Sequence, residues 1–182
     1  MTEVADRYRR IADGFTTRLD GVAADGWDAA SPCDEWTGRD IVEHVVATHR
    51  RVRAALDGTE AEPVDPEGDL RAQWRAARAE IESALADPVM ATTVVGGMFG
   101  EQPFESLVGR LLCADTLIHT WDLARATGQD DRLDPDGVAK AFEFLTPIDE
   151  AIRRPGGFGP KLEPPTDADE QARFLAFCGR SG

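Results

Sequence analysis

Asp115, His119 and Asp122 stand at helical spacing in the stretch ADTLIHTWDLARATG, residues 114–128. Intervals of four and then three residues project side chains from one face of a helix. That face is otherwise apolar. On a wheel of about 100° per residue, Phe104, Leu107, Val108, Leu111, Leu112 and Ile118 define a stripe that includes all three ionisable groups. Burying an unpaired carboxylate costs several kcal/mol, and interior charges are normally paired or bound to a metal. The stripe contains no Lys or Arg to compensate. A divalent cation satisfies the pattern directly, because it takes carboxylate oxygen and neutral imidazole nitrogen as ligands. In the purely structural alternative the two aspartates bond to loop backbone or a helix N-terminus and His119 is a satisfied core histidine. Three ionisable groups in one stripe weigh against that alternative.

A further ligand must come from another helix, and the only other histidines are His44 and His49. Five residues apart, they are separated by about 140° around a helix, so one ion does not take both. The apolar positions Ile41, Val42, Val45, Val46 and Val52 centre close to His49 and leave His44 on the flank. Periodicity alone selects His49. Cys33, Cys113 and Cys178 are odd in number, far apart and form no CxxC pair, so they read as reduced and mostly buried thiols. Cys33, just before a helix start, is the one placed to acquire thiolate character.

Four long helices position these groups. Val4, Tyr8, Ile11, Ala12, Phe15 and Leu19 give the first helical spacing, over residues 3–24. After a break in DGWDAASPCDEWTG, a second helix begins at Thr37, with Asp40 three residues on as a capping box, and runs to about Leu56 before Gly58. The acidic, proline-bearing loop DGTEAEPVDPEG leads to a third helix over about 69–86. VMATTVVGGMFGEQ reads as an irregular or short extended excursion, and the fourth helix, about 103–127, closes at Gly128. A fifth helical segment carrying Pro147, the loop PGGFGPKLEPPTDAD and a short helix in DEQARFLAFCG complete the chain. The fold class expected is all-α: an antiparallel four-helix bundle over about 3–128, with C-terminal helices and a loop over about 134–182, in a single domain.

Composition removes several functions. The net charge is −14, with 20 Lys and Arg against 34 Asp and Glu, which disfavours nucleic acid and anionic membrane surfaces as partners. No apolar run approaches the roughly 18 residues a membrane span needs. The charged, amphipathic N-terminus MTEVADRYRRIADGF lacks an apolar signal region, so a cytoplasmic location is expected. Exposed amphipathic helices permit a homodimer without requiring one. A small-molecule substrate or thiol is the partner expected.

The block SPCDEWTGRDIVEHVVATH, followed by DTLIHTWDLARATG and near the end by GFGP and DEQARFLAFCGR, resembles the actinobacterial metal-binding proteins of the DinB-like superfamily. Within it, the sequence is similar to the branch containing the N-terminal domain of mycothiol-dependent maleylpyruvate isomerase. The resemblance covers nearly the whole chain. It implies a DinB-like four-helix bundle holding one divalent ion, zinc or alternatively nickel, on three side chains. The histidine eight residues after Trp36 is His44; an acid and a histidine four apart map to Asp115 and His119. The resemblance therefore favours His44 over His49, which becomes a core or supporting histidine. The isomerase has Glu where this chain has Asp115, a shorter arm. Asp122 matches a position beside the site, suited to orienting a ligating imidazole. Trp121, Leu123 and Ala124 read as packing, and Arg125 as a surface partner of the many acids. Two histidines and one carboxylate leave an open position on the ion, and relatives with assigned reactions use mycothiol or a comparable low-molecular-weight thiol in transfer or isomerisation. Metal-assisted hydrolysis and a non-catalytic metal- or ligand-binding module are the alternatives. The isomerase carries an additional C-terminal domain for which this chain is too short.

Overall fold

A computed structural model describes residues 2–33, 35–97, 99–153 and 157–181. Thr2 accepts a hydrogen bond from the Ala5 N–H and so starts α1 (Glu3–Asp20), several residues shorter than the spacing suggests. Its Tyr8, Phe15 and Leu19 are fully buried. A 3₁₀ turn, Gly26–Asp28, and an irregular strap lead into α2 (Gly38–Asp57). Both halves of the expected capping box form: the Thr37 side chain accepts from the Asp40 N–H, and Asp40 Oδ2 accepts from the Thr37 N–H at 2.8 Å. The helix ends at Gly58, whose φ of 66° is the left-handed conformation that favours glycine. Gly38 is required for a different reason. A Cβ there would lie 2.6 Å from the Gly26 carbonyl oxygen, so its absence lets the strap close down on the start of α2.

Asp69 caps α3 (Leu70–Ala86) through the Arg71 and Ala72 N–H groups. The irregular excursion resolves into a short helix, α4 (Pro88–Thr92), and a two-stranded antiparallel hairpin pairing β1 (Val94–Val95) with β2 (Gln102–Pro103). The fourth long helix is continuous in path but not in winding. It comprises α5 (Phe104–Leu107), a π-helical turn (Val108–Leu112) and α6 (Cys113–Thr127), and it closes at Gly128 with φ 66°. The wider π turn rotates everything beyond it relative to a uniform wheel. The expected stripe is corrected accordingly: Leu111 is only partly buried, whereas every residue from Thr116 to Ala124 is buried. Over Thr116–Ala124 the helix has no solvent face because α6 packs against α1, α2 and α7.

The four long helices neighbour one another in a closed ring, α1 to α6 to α2 to α3 and back to α1. This is the all-α, DinB-like bundle. Trp74 and Phe15 meet edge to face at 4.7 Å inside it, and the Trp74 indole N–H donates to Thr16 Oγ1 at 2.9 Å. The C-terminal additions lie on the α6 side. α7 (Pro135–Leu145) stops where Pro147 enters a 3₁₀ turn, Thr146–Ile148, followed by α8 (Asp149–Ile152). The expected end of the fifth helical segment at Arg154, and the start of the following loop at Pro155 and Gly156, lie outside the described residues. α9 (Glu170–Phe177) packs against α7, burying Phe174 and Phe177. Among the described residues no helix is long and apolar enough to cross a membrane.

Candidate metal centre

α2 and α6 lie side by side, and their contact brings His44 against Asp115. His44 Nε2 is 3.0 Å from Asp115 Oδ1, and His119 Nε2 is 3.8 Å from the same oxygen. One nitrogen from each imidazole and one carboxylate oxygen all lie within 4.8 Å of one another. The side chains are mostly enclosed, Asp115 at 16% and His119 at 10% exposure, while His44 at 29% faces outward. The other oxygen, Asp115 Oδ2, is buried without a hydrogen-bond partner. The aspartate arm, although shorter than a glutamate, reaches both imidazoles.

His119 is held from behind. Its Nδ1 is 2.9 Å from Asp122 Oδ2, which assigns the Nδ1 proton to that bond and turns Nε2 toward Asp115. Asp122 is fully buried and heavily partnered. Arg180 Nε and Nη2 donate to its two oxygens at 3.1 and 2.9 Å, and the Cys33 thiol donates to Oδ2 at 3.2 Å. The absence of a cation from the helical stripe did not leave Asp122 uncompensated: the guanidinium arrives from the C-terminal tail, 58 residues on. Burial works against ionisation of Asp122, yet the His119 and Arg180 bonds hold its carboxyl well below the usual range. Burial likewise opposes charge on His119, but the bonds to Asp122 and Cys33 and the charges of Asp115 and Asp122 lift it to about 10.

Among the described residues two overlapping sets of donors could hold a cation: His44, Asp115 and His119, or Cys33, His119 and Asp122. Charge separates them. In the second set the Arg180 guanidinium already occupies Asp122, and it also donates to Cys33 Sγ at 3.1 Å, so an added divalent ion would meet a fixed positive charge. In the first set Asp115 has imidazoles for neighbours and an oxygen without a partner. The first set fits a divalent cation and the second does not.

Residues 8–124 match the family model described as the mycothiol maleylpyruvate isomerase N-terminal domain. The chain belongs to this family. Two uncharacterized proteins from two strains of Mycobacterium tuberculosis are similar to it, each 32% identical over 176 residues that make up 96% of this chain and 96% of the relative. No solved structure matches. The stretch matching the mycothiol maleylpyruvate isomerase N-terminal domain model contains His44, Asp115, His119 and Asp122, while Arg180 lies beyond it.

Three further residues belong to the centre. Trp36 lies against both imidazoles, its ring 4.9 Å from that of His44 and stacked 5.7 Å from that of His119. Cys33 and Arg180 back up Asp122. All three sit in stretches that carry the family resemblance, but nothing in their local spacing reveals their contacts. Trp121, Leu123 and Ala124 are buried, and Arg125 pairs with Asp131 at 3.3 Å. Cys113 and Cys178 are buried thiols, and burial pushes them up to about 11 and 12.

His49 is outside the centre. It points into the core between Tyr8 and Trp74, with ring separations of 5.9 and 4.8 Å, and its Nδ1 donates to the Val45 carbonyl at 2.8 Å. The centre of the α2 apolar stripe faces the bundle axis, whereas the flank carrying His44 faces α6. Burial, only partly offset by the Val45 bond, pushes His49 down to about 4. It is therefore neutral when folded, while an unfolded imidazole protonates near its ordinary 6.5. The stability this contributes is complete above pH 6.5 and is lost as pH falls toward 4, a change of about 3 kcal/mol. Urea titrations of metal-free protein across that window should show the decline, and His49→Gln should flatten it. Parallel profiles for the two proteins would rule out His49 as its source.

Proposed function

We propose that this protein is a metal-dependent enzyme that activates a low-molecular-weight thiol, mycothiol or one like it, for transfer or isomerisation. His44, Asp115 and His119 would hold one divalent cation, zinc or alternatively nickel, since two imidazoles and a carboxylate suit a borderline ion. The observation that carries this is the contrast between the two aspartates of α6: Asp122 is neutralised by Arg180, whereas Asp115 faces two imidazoles with one buried oxygen unpartnered. The family's printed description, with its mycothiol and isomerase, supports the thiol.

A bound ion would supply Lewis acidity, lowering the pKa of a thiol in its open position so that the reactive thiolate forms near neutral pH. The chain's residues prepare that position. Asp122, clamped by Arg180, fixes the tautomer and tilt of His119. Trp36 lies against both imidazoles. Access is from the His44 side, where a cleft of about 340 Å³ is lined by Trp36, Asp40, Glu43, His44, Ala47 and Val64.

Cobalt-loaded protein mixed with a small thiol should develop a sulfur-to-metal charge-transfer band, and metal-loaded protein should consume an electrophile only when the thiol is present. Turnover of activated esters or amides without thiol, and no such band, would replace this proposal with metal-assisted hydrolysis. Neither activity, with no exchangeable position on the ion, would leave a binding module.

A further inference from the structure

We infer that Thr48 and Arg51 form an anion-recognition element beside the metal centre, selecting a ligand that carries a carboxylate next to its metal-binding atom. This rests on the assignment of His44, Asp115 and His119 as the cation site, and it adds the chemical class that the site prefers.

His44, Thr48 and Arg51 occupy positions i, i+4 and i+7 of α2, a single ridge along one face of the helix. Thr48 is buried, at 4% exposure, and its hydroxyl lies 3.5 Å from His44 Nε2, the nitrogen that faces Asp115. Arg51 Nη2 donates to that hydroxyl at 2.8 Å. The guanidinium thus stands one hydroxyl away from a proposed ligand atom while the rest of the side chain is exposed.

The environment of Arg51 makes the placement informative. Acids outnumber bases 34 to 20 in this chain, and among the described residues most arginines pair with a carboxylate. Arg180, the other guanidinium at the centre, is committed to Asp122. Among the described residues Arg51 has no carboxylate within ion-pair distance, so its remaining donors are available. A guanidinium offers a planar fork of N–H groups suited to binding a carboxylate through two bonds. The cleft beside His44, which Thr48 and Arg51 do not line, is acidic: Asp40 is tied up in the α2 cap, and Glu43 lines the wall one residue before His44. An anionic group is repelled from that wall and attracted to the Arg51 guanidinium one turn beyond Thr48, which orients the ligand as well as retaining it. The class selected is a small thiol or electrophile bearing a carboxylate close to the atom placed on the metal.

The test uses cobalt-loaded full-length protein, with 3-mercaptopropionate and its uncharged isostere 3-mercaptopropionamide as probes. Calorimetry measures affinity and the charge-transfer band reports sulfur coordination. The acid should bind about tenfold more tightly than the amide, the scale of a charged hydrogen bond. Arg51→Gln should bring the ratio close to one, Arg51→Lys should restore part of it, and Thr48→Val should lower it with the guanidinium less well oriented. Metal content should stay unchanged in all three variants. A preference that survives Arg51→Gln comes from chelation by the ion and overturns the inference, as does equal affinity for acid and amide in the wild type. A preference that depends on Arg51, with no band for either probe, supports the anion site and overturns thiol activation instead. If the band forms with both probes and affinity ignores charge, thiol activation stands and the anion site is overturned.

Discussion

His119→Ala should reduce bound metal from about one ion per chain to a small fraction of that, as read by elemental analysis after loading and desalting. The imidazole contributes Nε2 to the proposed donor set, and its position is enforced by the 2.9 Å bond to Asp122. Removing only an outer hydrogen-bond partner of a metal ligand typically weakens affinity roughly 10–100-fold. Losing the ligand itself should exceed that range and leave two donors, His44 and Asp115, from different helices. His49→Gln provides the contrast. The apolar periodicity of α2 points to His49, so a metal site built on that signal would be lost, whereas His49 faces Tyr8 and Trp74 and its variant should keep the ion. Equal metal content in His119→Ala and wild-type protein would remove the site, and so would loss of the ion in His49→Gln alone.

Arg180→Ala should be the most destabilising single change considered. Asp122 is fully buried and Arg180 is 12% exposed, and two hydrogen bonds join them. Breaking a buried pair by removing one partner costs about 3–5 kcal/mol, from a total stability of about 5–15 kcal/mol; the His119 imidazole and the Cys33 thiol stay on Asp122, so the low end of that range is expected. At roughly 2–4 °C per kcal/mol for a chain of this size, the thermal midpoint should fall by about 10 °C. The same clamp orients His119, so metal affinity should fall as well. Arg180→Met combined with Asp122→Asn removes both charges and should recover a large part of the stability, though not the orientation of the imidazole. Denaturant titration decides the matter: a loss under about 1 kcal/mol for Arg180→Ala would show that His119 and Cys33 suffice to compensate Asp122.

These two variants probe different functions of one short helical segment. Asp115 and His119 face α2, where a cation would sit; Asp122, one turn further on, faces the C-terminal tail. The four-helix ring therefore supplies the proposed ligands, and the additions after α6 supply the counter-charge that holds one of them in place. A chain ending near Thr127 would retain all three proposed ligands and lose the clamp behind His119.

Local signals determined much of this molecule. The capping box at Thr37 and Asp40, the left-handed glycines Gly58 and Gly128, and the apolar periodicities of α1, α2 and α3 each depend on residues within a few positions of one another, so they can be read directly from the chain. The ionisable set Asp115, His119 and Asp122 is equally local, and its anomaly on an apolar face was visible before any fold was known. What the tertiary structure decided was how those groups are shared out. A helix wheel assumes uniform winding and a single solvent direction; the π turn at Val108–Leu112 breaks the first assumption, and burial of every residue from Thr116 to Ala124 breaks the second. That His44 and not His49 lies beside Asp115 follows from which neighbour each flank of α2 meets, a property of the bundle that the periodicity of α2 does not contain. Arg180 neutralises Asp122 across 58 residues of chain, and no spacing rule reaches that far. Hydrogen bonds and turns that set helices act over single turns of backbone, whereas charge compensation in a core depends on which surfaces the completed fold presses together.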